Sequence, residues 1–413
     1  MKYTTKRNVS SHNISNGHQH LRAGQLEDAL KSYRLARDES PDDPAAHSGI
    51  GFVLESQGRF REALLTYHSA LKVLPETAPM YFRLGCTLQA LGRLEASYEA
   101  FKETVRIDPV HASAHNNLGI VAKMTGNPTQ ARTHFERAIQ IYFAFGKARD
   151  NLARLLTDMG QKDEAIRLYE ASIAMQLPDS RASHLLAALR NNTPASIPAE
   201  QIRQLFDDCA STFEQHLVGA LEYDGPNILH SILMNVIAGG DPQCELPFDS
   251  ALDLGCGTGL MGLKMKEIAK AIDGVDLAPN MITQAKRKSL YRELTVGDCV
   301  DFLKDLPKGS RPYNLIVAAD VFTYLGDLRE MFVEVSANLA ARGLFGFSVE
   351  NIESQHYTLQ PTGRYAHSQT YVHHLAGETG FRVAASQRAP LRIEQGAPIN
   401  GTFYVLTADE SRR

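Results

Sequence analysis

The sequence predicts an all-α solenoid of helical repeats followed by an α/β domain built on a doubly wound, mostly parallel sheet. Three observations point there. A chain of 413 residues is longer than one ordinary domain, at roughly 150 residues each. Glycines recur every 34 residues through the first half, at Gly24, Gly58, Gly92, Gly126 and Gly160, the mark of a repeat architecture. From residue 249 onward, short apolar runs alternate with helical segments, the rhythm of strands and crossover helices.

Composition sets the outer limits. Apolar residues make up 43% and charged residues 22%, a balance that buries ordinary cores. No run approaches the ~18 consecutive apolar residues of a membrane helix. The opening MKYTTKRNVSSHNISNGHQH lacks the apolar stretch of a secretory signal. Five scattered cysteines (Cys86, Cys209, Cys244, Cys256 and Cys299), with no CxxC pair, read as reduced thiols in a cytoplasmic protein without a metal site. Residues 1–190 hold 24 Lys and Arg against 20 Asp and Glu, a net of +4; residues 191–413 hold 19 against 27, a net of -8. A nucleic-acid substrate calls for a basic face, which the second half lacks.

The repeat carries more than its period. Gly17, Gly51, Gly85, Gly119 and then Ala153 stand seven positions before the recurring glycines. Small residues recur at Ala29, Ala63, Ser97, Ala131 and Ala165, and an aromatic at Tyr33, Tyr67, Phe101, Phe135 and Tyr169. Pro41, Pro75 and Pro109 close the first three units. Small residues let two helices approach, the aromatic fills the space between them, glycine makes the turn, and proline ends the second helix. One such hairpin cannot bury its apolar face alone, so the units stack. The pattern over about residues 10–179 resembles the tetratricopeptide repeat, with His47 and His115 where that family favours Trp. The resemblance implies a groove for a protein or peptide. Phe52, Phe82, Asn116, Lys123, Asp150 and Arg154 are expected to face it, and Asn117 and Asn151 either grip a peptide backbone or are merely solvated. Residues 179–190 are expected to form a helix capping the array, so the repeat domain spans 10–190.

NNTPASIPAE ends the helical periodicity and reads as a linker over 191–199. The second domain then spans 200–413. Residues 200–237 read as helical, with Phe206, Phe213, Leu217 and Leu221 on one stripe. Strands are predicted at 250–254, 271–277, 294–298, 313–320, 343–350, 381–386 and 402–408. The last two are too close for a helical crossover and are expected to pair antiparallel.

The chemistry is concentrated after the first strand, in Asp253-Leu254-Gly255-Cys256-Gly257-Thr258-Gly259. Glycines let the backbone turn sharply and approach a ligand, and the next helix offers its N-terminal amides. Asp276 ends the second strand, where a carboxylate can hold ribose hydroxyls. By spacing alone, Gly257-x-Gly259-x-x-Gly262 with Asp276 also fits a dinucleotide fingerprint. The extra Gly255 and the acid Asp253 distinguish it: Asp253 suits a cationic sulfonium and its amino group better than a pyrophosphate.

DLGCGTG, GVDLAPNMI, VGDCVDFL and YNLIVAADVFTYLGDL together resemble the class I S-adenosylmethionine-dependent methyltransferases, which have a Rossmann-like fold, over about residues 200–413. The resemblance implies S-adenosyl-L-methionine as cofactor, with Asp253, Gly255, Cys256, Gly257 and Gly259 forming the loop around its methionine part. It places Asp276 on the ribose, Leu277 and Met281 beside the adenine, Asp298 on the adenine amino group and Cys299 offering its backbone amide. Asp320 follows the fourth strand, near the donor methyl. Helix capping is the alternative role for Asp298 and Asp320. Asp320, Tyr324 and His367 are the catalytic candidates, with Arg364 as a grip for a carboxylate and residues 350–367 as a substrate loop. Arg392 and Glu394 either brace the last hairpin or contact substrate. Glu214 stands where related sequences are expected to carry Asp. The acceptor is a small molecule or a protein. A scaffold that keeps the fold without catalysis, and a nicotinamide oxidoreductase, are the competing readings; residues 249–413 hold no Tyr-x-x-x-Lys pair for the latter.

Overall fold

A computed structural model describes residues 2–177, 181–210, 213–214, 223–240, 245–307, 313–354, 356–394 and 397–408. The chain divides into two compact units, Met1–Ser183 and His184–Arg413.

The first unit is helical. Its helices are α1 (Lys2–Arg22), α2 (Leu26–Glu39), α3 (Pro44–Ser56), α4 (Phe60–Val73), α5 (Ala78–Ala90), α6 (Leu94–Ile107), α7 (Ala112–Met124), α8 (Pro128–Ile141), α9 (Gly146–Asp158) and α10 (Lys162–Ala174). They form five hairpins in the predicted register. The recurring glycines sit in the turns with φ of 69° to 77°, a backbone that costs glycine little and other residues more. The second glycine series does different work. A Cβ at Gly17, Gly51, Gly85 or Gly119 would run into the ring of Tyr33, Tyr67, Phe101 or Phe135, respectively. Those rings are fully buried, so each of the first four hairpins is keyed by an aromatic lying on a bare helix backbone.

The departures from the Trp consensus have a local explanation. His47 Nε2 lies 2.7 Å from the Pro41 carbonyl oxygen, and His115 Nε2 lies 3.4 Å from that of Pro109. In the fifth repeat Arg149 Nε donates to the Phe143 carbonyl at 3.0 Å, with its guanidinium 4.5 Å over the Phe143 ring. A polar side chain at this position satisfies a carbonyl at the turn between repeats.

The second unit starts earlier than the sequence suggests. The expected helix is present as α11 (Ala182–Leu189), but His184 Nε2 bonds the Gly363 carbonyl oxygen at 3.0 Å, and Ala188 packs with Ile197, Ile202, Leu359 and Tyr365. The expected linker is likewise folded onto this unit. The Tyr365 hydroxyl donates to the Pro194 carbonyl at 2.9 Å, the Gly326 amide donates to the Ala195 carbonyl at 2.9 Å, and Ser196 bridges Leu325. Pro194 and Ile197 thus act as packing residues, although their neighbours in sequence look like a spacer.

Then follow α12 (Ala199–Cys209), α13 (Gly225–Ala238), β1 (Ala251–Leu254), α14 (Leu260–Met265), β2 (Ile272–Asp276), α15 (Pro279–Arg287), β3 (Glu293–Val296), α16 (Cys299–Asp305) and β4 (Tyr313–Ala318). After these come a 3-10 turn (Phe322–Tyr324), α17 (Arg329–Asn338), β5 (Leu339–Asn351), β6 (Tyr357–Leu359), β7 (Tyr365–His367), α18 (Gln369–Glu378), β8 (Phe381–Glu394) and β9 (Ala397–Ala408). Leu217 and Leu221 lie outside the described residues. Strands β3-β2-β1-β4-β5 run parallel in that order. Strand β9 joins β5 antiparallel, from Leu344↔Thr407 to Glu350↔Gly401, and β8 pairs with β9 as the predicted hairpin. β6 and β7 occupy the stretch read as a substrate loop, β7 continuing the sheet at the end of β5 through Glu350↔Ala366 and Asn351↔His367.

Alternation along the central strands divides the apolar side chains between two layers. Leu252, Leu254, Phe345 and Phe347 face a core shared with Phe322, Phe332, Leu375 and Phe381. Ala251, Leu315, Val317 and Leu344 face Leu229, Leu233, Met261 and Met265 of α13 and α14. No helix among the described residues is long and apolar enough to cross a membrane.

Candidate functional site

Parallel strands deliver their C-terminal ends to one edge, where ligands of such sheets bind. β1 ends there in the glycine loop. Gly255, Gly257 and Gly259 have φ of 63°, 53° and 90°. At Gly255 glycine is needed twice over, because a Cβ would also lie 2.5 Å from Val321 Cγ2. Among the described residues, a Cβ at Gly257 would meet only Phe213 Cε1, at 4.0 Å, which leaves room there for a ligand. Asp276, buried at the end of β2, takes the Gly257 amide on Oδ2 and the Ala278 amide on Oδ1, both at 2.9 Å. Burial raises its pKa, and the two amides oppose the rise. The Cys256 amide donates to the Val275 carbonyl at 3.0 Å, which ties the loop to β2.

Beneath this loop lies a residue that sequence reading missed. The Tyr291 hydroxyl donates to Asp253 Oδ2 at 2.7 Å. Its ring fills the space that side chains at Gly259, Gly262 and Gly274 would need. Gly262, the last glycine of the apparent dinucleotide fingerprint, thus makes room for Tyr291. Burial pushes the Asp253 carboxyl up to about 7, with nearby Asp276 adding to the rise and the Tyr291 hydroxyl working against it.

The remaining candidates for cofactor contact are differently placed. Asp298 caps α16, its Oδ1 accepting from the Val300 and Asp301 amides at 2.8 and 3.2 Å. The capping alternative is therefore realised for one of its oxygens. Cys299 is buried, and burial raises its thiol. Met281 is wholly buried with Ala210 and Ala278 against Phe206 and Phe213, so it supports the site from within the core instead of lining an open adenine face. Leu277 is partly buried beside Phe206 and Tyr324.

α12, with Phe213 and Glu214 after it, covers this edge. The Asn280 amide donates to Asp207 Oδ1 at 2.9 Å, and Lys288 Nζ pairs with Glu214 at 2.6 Å. Phe206 sits edge-on to Phe213 and to Tyr324, with ring centroids 5.9 and 5.2 Å apart. Glu214 therefore reaches its cation despite the substitution for the expected Asp.

Past β4, a second group of charges converges. Asp320 adopts φ +57°, a strained backbone of the kind that gathers at functional sites, and its amide donates to Ser348 Oγ at 3.0 Å. Arg392 on β8 is 1% exposed and contacts Glu350 directly, with Asp320 3.7 Å away. Arg364 lies 3.8 Å from Glu350 and 6.0 Å from the Tyr324 ring centroid. Burial raises the Tyr324 phenol, and Arg364 opposes the rise. Two arginines and two carboxylates thus meet at the ends of β4 and β5. Arg392 braces the strands through Glu350, a pairing across 42 positions of sequence.

His367 does not act as a base. It is fully buried on β7, its Nε2 bonded to the Gly326 carbonyl oxygen at 2.9 Å and its ring stacked on Tyr371. Burial lowers its pKa to about 4, so it is neutral and offers no face to a substrate. An unfolded histidine takes up a proton near 6.5, whereas the folded one does not until about 4. Its neutral burial therefore costs nothing above 6.5, and stability is lost as pH falls from 6.5 toward 4, by up to roughly 3 kcal/mol. Urea midpoints across this range are expected to fall more steeply for the wild type than for His367→Asn.

In the repeat unit, the groove candidates are largely engaged with one another. Asn151 Nδ2 donates to Asn116 Oδ1 at 3.0 Å, and Asn117 Nδ2 lies 3.7 Å from Cys86 Sγ. Asp150 accepts the Arg181 amide at 2.7 Å, and Lys123 pairs with Asp158 at 2.6 Å. Asn117 and Asn151, read either as a grip on a peptide backbone or as solvated groove residues, bond here to side chains of the array.

Residues 252–345 match a family described as a methyltransferase domain, and residues 20–85, 76–144 and 110–177 match tetratricopeptide-repeat families. The chain carries tetratricopeptide repeats followed by a methyltransferase domain. The chain is 32% identical over 130 residues to the biotin biosynthesis bifunctional protein BioHC of Saccharophagus degradans, covering 31% of this chain and 23% of that protein. It is 23% identical over 121 residues to a ubiquinone biosynthesis O-methyltransferase of Coxiella burnetii, covering 29% of this chain and 52% of that one. It thus spans about half or less of the curated relatives it matches. Among solved structures, a S-adenosylmethionine-dependent methyltransferase of Clostridium acetobutylicum is 17% identical with a TM-score of 0.36, covering 49% of this chain and 98% of that one.

Proposed function

We propose that the second unit transfers a methyl group from S-adenosylmethionine to an acceptor that meets Asp320 and Tyr324, while the repeats bind a protein or peptide. The observation that carries this reading is the Asp276 carboxylate bonded to the glycine loop at its open position, Gly257. The antiparallel β9 beside β5 and the methyltransferase match over 252–345 favour this donor over a nicotinamide.

When bound, the donor supplies a methyl group on a sulfonium, which is already activated for displacement. Positioning then provides most of the catalysis. Asp276 holds the ribose hydroxyls, Asp253 neutralises the cationic end, and Asp298 offers its second oxygen to the adenine amino group while the first caps α16. Leu277 borders the adenine. Gly255, Cys256, Gly257 and Gly259 wrap the methionine part, and the Cys299 amide is a further donor. Phe206, Phe213 and Tyr324 exclude water from this edge. Tyr324, whose phenol stays protonated at neutral pH, orients the acceptor as a hydrogen-bond donor. Asp320 accepts a proton where the acceptor must lose one.

The acceptor belongs to the small molecules or to proteins brought by the repeats. Incubating the full chain with methyl-labelled donor and a cell extract separates these, by whether label enters the small-molecule or the protein fraction. Label that depends on the chain and is lost with Asp320→Asn supports the reading. No chain-dependent label in either fraction favours a scaffold that keeps the fold without turnover.

A further inference from the structure

We propose that Tyr291 is a positioning residue of the donor site: its hydroxyl fixes the Asp253 carboxylate beneath the glycine loop, where that carboxylate meets the cationic end of the donor. The inference rests on the methyltransferase reading and deepens it.

Tyr291 comes just before β3, whereas the loop follows β1. The ring bridges that gap because three positions lack side chains. Ideal Cβ atoms would lie 3.0 Å from ring carbons at Gly274 and 3.2 Å at Gly259, and the one at Gly262 would collide with the hydroxyl. Gly274 lies on β2 beside Asp253 in register, so the ring crosses the neighbouring strand to reach the carboxylate. Packing alone would be served by phenylalanine. The hydroxyl adds one thing, a 2.7 Å hydrogen bond to Asp253 Oδ2.

Asp253 needs that bond. It is 1% exposed. Among the described residues, the groups around it are Tyr291 from the turn before β3, Asp276 from β2, Cys256 from the loop, Cys299 from α16 and Tyr223 from the residues before α13. None of these is a cation. Against burial and the Asp276 charge stand the Tyr291 hydroxyl and a backbone hydrogen bond at Gly262. A buried anion with so few donors is readily protonated. With the hydroxyl gone, Asp253 takes up a proton at higher pH and ceases to attract the donor's ammonium.

The test is calorimetric titration of the full chain with S-adenosylhomocysteine, which carries the same ammonium, between about pH 6 and pH 9. Wild-type affinity should fall as pH drops through the neutral range. Tyr291→Phe should bind about tenfold more weakly near pH 7.5, with the fall moved to higher pH. Asp253→Asn should flatten the profile, and it tests the same claim if Tyr291→Phe does not fold. If the wild type fails to bind, the donor reading falls and this proposal with it. If the wild type binds but Tyr291→Phe matches it, or weakens equally at every pH, then Tyr291 only packs and the proposal alone is overturned. An Asp253→Asn profile that keeps the wild-type slope overturns it as well.

Discussion

Asp276→Ala is expected to lower affinity for S-adenosylhomocysteine at least ~100-fold. The effect is large because the carboxylate has two duties. It accepts the Gly257 and Ala278 amides at 2.9 Å each, which holds the loop in its positive-φ course. It also has lone pairs left for the two ribose hydroxyls. Alanine removes the acceptor from both the loop and the ligand, and a buried donor without a partner is costly. Asp276→Asn keeps the shape and one acceptor, so it should lose less than alanine does. Calorimetry of the three proteins checks the order. Equal affinities would mean that this carboxylate is only a strut for the loop.

Arg392→Met should destabilise the protein by ~3–5 kcal/mol at neutral pH. Arg392 is 1% exposed and contacts Glu350, with Asp320 3.7 Å away. Removing it leaves two carboxylates in a buried setting. Burial already raises Glu350, and Arg392 is the strongest influence holding it down. Without the guanidinium Glu350 is raised further above its unfolded value. Its cost is therefore absent below the unfolded carboxylate range near 4 and grows as pH rises. Urea unfolding should show the deficit of the variant shrinking on acidification, and Glu350→Gln added to Arg392→Met should restore part of the loss. A deficit that does not vary with pH would point to lost packing of the long side chain instead.

Much of this fold was readable from residues alone, for reasons that can be named. The turn glycines recur because positive φ is needed once per hairpin, and the second glycine series recurs because an aromatic lies on each helix backbone. Both are local demands, repeated five times and four times respectively, so the period stands out. The central strands were visible as apolar runs because they are buried on both faces. β6 and β7 were not, since three residues each are too short to show alternation.

At the site, Asp276 was legible because a strand end, a glycine loop and an acid coincide in a short stretch. Tyr291 was not, because its partner lies 38 positions earlier and its place depends on glycines in three separate elements. His367 looked like a base in a loop, but its burial follows from strand β7 and from the packing of residues 194–197, which read as a linker. Arg392 was read as either a brace or a substrate contact. It is a brace, and its acids are Glu350 and Asp320, both brought to it by the sheet.

In the proposed reading the glycine loop and Asp276 hold S-adenosylmethionine. The deciding experiment is titration of the purified full chain with S-adenosylhomocysteine and, separately, with NAD. One site for S-adenosylhomocysteine is expected, with a Kd on the order of micromolar, and no binding of NAD. Saturable binding of NAD with none of S-adenosylhomocysteine would overturn the reading.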